Sequence, residues 1–119
     1  MLKFTDLPTP TTEGITIMDK KAIERAQHLD DSQRLFFGNL ILFPYLSKHW
    51  DIDTLTVNLP ALDNAKCCLS HGQLIMANFF IGVWLHKNRC NFDIYDAAGV
   101  LDQQSINVIS SWLSNPYWP

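Results

Sequence analysis

Apolar positions are densest between Ser70 and Asn88, in SHGQLIMANFFIGVWLHKN, where Asn78 is the only clearly polar side chain from Leu74 to Leu85. Ser70 and Gln73 form an S-x-x-Q capping box in which each side chain satisfies a backbone N–H of the other. On a wheel of about 100° per residue, Leu74, Ile81 and Leu85 share one face. Met76, Phe80, Val83 and Trp84 share a second, and Ile75 and Phe79 fill much of the third. His86, Lys87 and Arg89 mark the end, where basic groups suit the negative pole of the helix. A helix that is apolar on nearly every side belongs in the middle of a small domain. The apolar run, about 12 residues, is shorter than the ~20 a membrane span needs.

The remaining chain arranges itself around this element. Residues 1–13, with Pro8, Pro10, Thr9, Thr11 and Thr12, read as an extended N-terminal arm. Ile15–Ile17 has the residue types of a short strand, near 14–17. Asp19 caps an expected outer helix to about Leu29, with Ala22, Ile23, Ala26 and Leu29 on its inner stripe. Asp31 or Ser32 is the expected cap of the next helix, whose apolar surface runs from Leu35 to Phe43. Pro44 stops or kinks it, and Tyr45 to Trp50 resumes as a further turn. Over 54–59, Leu55, Val57 and Leu59 alternate with polar residues, the pattern of a strand. Ile52, Leu55 and Leu59 also fit a helical period, so both readings stand. Pro60 suits the start of a helix to about Cys68. A short helix is expected over 92–98, ended by Gly99. A last helix follows a cap at Asp102, with Ile106, Ile109 and Leu113 on its buried side and Val108 and Trp112 flanking. The closing Pro116-Tyr117-Trp118-Pro119 carries two large aromatics, which favours docking on the body.

These patterns predict a mainly α, compact helical bundle. It has a central apolar helix (about 71–87) and one or two short strands (about 14–17 and 54–59). Residues 14–119 form one globular helical domain after the arm. The length of 119 residues agrees with one domain. The apolar fraction of 47%, with four Trp, three Tyr and seven Phe, excludes a disordered chain. The net charge of −3 offers no electrostatic case for nucleic acid or an anionic membrane. Neither is expected as a partner. Three cysteines, an odd number, without a signal-like N-terminus, lead to an expectation of reduced thiols in the cytoplasm.

Candidate chemistry changes this picture little. Cys67, Cys68 and His71 gather at one end of the central helix, and His86 and Cys90 at the other. By residue type they make a zinc set. His71 and His86 are separated by roughly 22 Å along a continuous helix, so no single ion reaches both. No metal or cofactor is therefore assigned. Cys68 with His71, or His49 with Asp51, would make a minimal reactive pair, and no flanking signature supports either as a catalytic residue. The last helix lacks the bases of a recognition helix. Asn78 stands out as an amide inside an apolar run, on one face with Gly82. Two accounts of it are open. It ties down a neighbouring segment while Gly82 admits a backbone, or it receives a ligand's polar group.

Three functions follow as expectations. The first is a non-enzymatic protein–protein interaction module, acting as a homodimer, with Tyr117 and Trp118 as interface residues. The second is a small apolar-ligand-binding domain, with a pocket built from Asn78, Phe79, Gly82, Trp84, Phe36 and Phe37. The third is a thiol-dependent enzyme using Cys68 with His71.

Overall fold

Local capping chemistry places most helix starts, and the computed structural model, which describes residues 28–119, can be followed from cap to cap. The expected arm (1–13), the strand near 14–17 and most of the 19–29 helix lie outside the described residues. Of that helix only His28 and Leu29 are described, and neither is helical.

Helix α1 spans Asp31–Leu40. Its cap is Asp30, one residue before the expected position. The Asp30 carboxylate accepts from Gln33 N at 2.8 Å, and Asp30 N donates to Gln33 Oε1 at 3.1 Å. This reciprocal pair needs an amide three residues on, which only Asp30 has. The helix ends before Ile41 and Leu42, which are exposed. After it comes one turn, α2 (Pro44–Ser47), which opens on the proline ring. A minimal antiparallel ladder joins β1 (Trp50–Asp51) to β2 (Thr56–Val57), with Trp50 opposite Val57. The strand reading of 54–59 thus holds for two residues only. Leu55 bends away at a φ of 56°, and Leu59 already belongs to α3 (Leu59–Ala65), capped by Asn58. A 3₁₀ turn, Lys66–Cys68, leads to α4 (His71–Leu85). Then come α5 (Ile94–Val100) and α6 (Gln103–Ser114), capped by Asp93 and Asp102. Gly99 does not end α5. It continues the last turn to Val100.

The described part is mainly helical with one two-stranded ladder. No described helix is long and apolar enough to cross a membrane. Helix α4 is its centre: Ile75, Met76, Ala77, Phe79, Phe80, Ile81 and Val83 are all buried. Ser70 and Gln73 make the expected capping box at its start. At its end His86 sits in the left-handed region at φ 59°. His86 N and Lys87 N donate to Val83 O and Gly82 O, a Schellman closure of the last carbonyls.

Two aromatic sets flank α4. Helix α1 packs on one side, with the Phe36 ring 5.6 Å from Phe80 and 5.2 Å from Trp84. Helix α6 packs on the other, with Trp112 5.6 Å from Phe79. The stripe of α6 is rotated from the expected one. Ser105, Val108 and Ile109 are buried, Ile106 is half-buried, and Leu113 is 55% exposed.

Candidate ligand-binding groove

The C-terminal tail docks on the helices at three points. The Tyr117 hydroxyl accepts from Asn39 Nδ2 at 2.8 Å, and both side chains are buried. Trp112 Nε1 donates to Tyr117 O at 2.9 Å. His86 Nε2 donates to Pro119 O at 2.7 Å, and its ring lies 5.6 Å from that of Trp118. Burial pushes the Tyr117 phenol up to about 12, partly offset by the bond to Asn39. Tyr117 is thus an internal anchor of the tail. Trp118 projects beside it, 48% exposed, with its ring 5.1 Å from that of Trp112.

Between α4, α6, the segment before α5 and this tail lies a groove of about 330 Å³. Asn78, Phe79, Gly82 and Val83 form its α4 wall. Phe92 and Ile94 close one end, Ile109, Trp112 and Leu113 come from α6, and Trp118 comes from the tail. Lys87 and Asn88 supply the rest of its rim. Asn88 is occupied, because its side-chain amide bridges Phe92 N and Phe92 O. Gly82 matters for shape. A Cβ there would stand 3.3 Å from Lys87 O, so the glycine lets the chain fold back tightly against α4. The Asn78 Oδ1 is sealed from water and has no hydrogen-bond partner among the described residues. The amide therefore does not tie down a neighbouring segment through its carbonyl oxygen, as a buried amide ordinarily would.

Of the six residues expected to line one pocket, the structure brings three together here. Phe36, Phe37 and Trp84 belong to the opposite side of α4, where Phe36 and Trp84 pack with Trp50 and Phe37 packs on Trp84. The reason is angular. At about 100° per residue, Asn78, Phe79, Gly82 and Val83 span an arc of roughly 140° on α4, and Trp84 lies about 170° from the middle of that arc. The groove residues not assigned to it from the sequence are Phe92 and Ile94, around the start of α5, and Ile109, Trp112 and Leu113 on α6. The i, i+3, i+4 spacing of the last three marks one apolar face of α6, but it does not say which arc of α4 that face meets.

The other candidate constellations are dispersed. Cys67 and Cys68 face each other with sulfurs 3.6 Å apart, and Cys67 Sγ donates to Asn64 O. The hydrogen bond with Cys67, then its charge, pushes the Cys68 thiol up, which disfavours the thiolate. His71 Nε2 is instead 2.8 Å from Asp96 Oδ2, tying α4 to α5. The Asp51 carboxylate turns its own loop, accepting from Asp53 N and Thr54 N. His49 Nε2 is buried with no partner among the described residues, and burial and Lys48 lower its pKa. Among the described residues no three His, Cys, Asp or Glu side chains are grouped as metal ligands. Comparison with protein-family models, with curated proteins and with solved structures yields no match.

Proposed function

We propose that the protein is a non-enzymatic binding module that takes a small apolar ligand in the groove between α4, α6 and the C-terminal tail. The observation that carries this reading is the groove itself. Its volume of about 330 Å³ falls in the range of small-molecule sites, and aromatic and aliphatic side chains make most of its wall. A packed interior has few voids of this size. A ligand here would contact Trp112 and Trp118, so tryptophan fluorescence reports occupancy directly. Titration of 1-anilinonaphthalene-8-sulfonate or an alkyl alcohol should change that fluorescence saturably in the native chain. A response that persists after Phe79→Ala and Trp118→Ala together would remove the reading.

A second reading is favoured by a separate observation. Ile94, Leu113 and Trp118, on the rim of the groove, are 43%, 55% and 48% exposed. Contiguous apolar groups of this kind also suit a protein partner. A second copy of the chain is the simplest, since a projecting Trp118 beside a groove is self-complementary about a two-fold axis. Sedimentation equilibrium distinguishes the two. A dimer abolished by Trp118→Ser would support the interface, and a monomer at all concentrations would leave the small-ligand reading alone.

A further inference from the structure

The groove has a polar feature besides its apolar wall, and its sign is consistent. Lys87, exposed on the rim, is the one charged residue of the lining. It makes no ion pair among the described residues. No Asp or Glu lines the groove. The nearest carboxylate in sequence, Asp93, is turned to the start of α5, where it accepts from Tyr95 N and Asp96 N. Two of the carbonyls at the end of α4, which would repel an anion, are closed by their own chain: Gly82 O and Val83 O accept from Lys87 N and His86 N.

Asn78 adds a second group of the same polarity. Its Oδ1 is sealed away from water, while the residue as a whole is only half-buried and lines the groove. The accessible polar end of that amide is Nδ2, a donor. The opposite orientation would bury the NH₂ without a partner, and an orphaned donor is the rarer and costlier arrangement.

We infer that the groove selects an apolar monocarboxylate, its body between Phe79, Trp112 and Trp118 and its carboxylate toward Asn78 Nδ2 and Lys87. This rests on the reading of the groove as a ligand site and adds the chemistry of the headgroup. Size follows from volume. An apolar cavity of about 150 Å³ takes a benzene ring, so about 330 Å³ takes a body roughly twice that, a medium-length alkyl or bicyclic aryl acid.

Three probes with one apolar body test the headgroup: decanoate, 1-decanol and decylammonium, titrated into the full chain by calorimetry and tryptophan fluorescence. Decanoate should bind about tenfold more tightly than decanol, and decylammonium most weakly. Lys87→Met keeps the alkyl stem and removes the charge. Asn78→Leu keeps the volume and removes the donor. Each should cut decanoate affinity roughly tenfold and leave decanol within about twofold. Lys87 is exposed, so its variant keeps the test available if the Asn78 variant does not fold. If decanol matches decanoate, or if Lys87→Met weakens both probes alike, the headgroup inference fails and the apolar site stands. If none of the three binds, the site and the inference fall together.

Discussion

The two sides of α4 are built from the same kinds of residue and end differently. On the α1 side, Phe36 and Phe80 are fully buried, and their rings meet edge to face. Trp50 and Trp84 complete that cluster at 5.8 and 5.2 Å from Phe36. On the α6 side, Phe79 is buried, yet Trp118, Leu113 and Ile94 remain about half exposed around an open groove. The difference lies in what closes each side. Helix α1 brings two adjacent phenylalanines, Phe36 against Phe80 and Trp84 and Phe37 against Trp84. Helix α6 brings a narrower stripe among Ser, Gln and Asn, and a short non-helical tail must cover the remainder. Aromatic content therefore does not decide burial. The width of the partner surface does.

The largest effect should come from the closed side. Phe80→Ala leaves a cavity under Phe36 and Phe43, and should lower unfolding free energy by about 3–5 kcal/mol in urea titrations. Trp118→Ala on the open side should cost only about 1 kcal/mol of stability while reducing ligand affinity at least tenfold by calorimetry. A stability loss as large as that of Phe80→Ala would erase the contrast between the two sides. Tyr117→Phe removes the bond from Asn39 Nδ2 to the Tyr117 hydroxyl and leaves its bond to Leu35 O. It should cost about 1 kcal/mol and loosen the tail, seen as faster hydrogen exchange at Trp112 Nε1.

The smallest effect is in alkali. The Tyr117 pKa is raised in the folded state, to about 12, so the unfolded chain ionises first. The stability its burial contributes is complete below pH about 10 and is lost as pH rises toward about 12. Tyr45, raised to about 12 by burial and then by the charge of Asp102, acts in the same direction. Urea midpoints should fall across that window, and Tyr117→Phe should flatten the decline. On the acid side, the lowered His49 pKa gives the reverse sign: stability present above about 6.5 declines as pH falls through the folded value.

What could be read in advance was local. The capping box at Ser70 and Gln73, the span of α4, the Asp102 cap and the docking of Tyr117 each depend on residues close in sequence or on the cost of exposing one large ring. Asn78 and Gly82 could be singled out because an amide and a gap interrupt an otherwise apolar run. The structure brings Asn78, Phe79 and Gly82 to one groove and places Phe36, Phe37 and Trp84 elsewhere, because a one-dimensional run does not say which helix covers which arc of α4.

The sequence alone determined that α4 would be a buried helix, since a segment apolar all round has no face to offer water. It also determined where the described helices α4 and α6 begin, because capping bonds are made within three residues. Only the tertiary structure decided that Phe36, Phe43 and Trp50 pack over one side of α4 and that α6 and the tail leave a groove on the other. Burial at those positions depends on the angles and widths at which distant elements meet, and those are set by all the packing contacts at once.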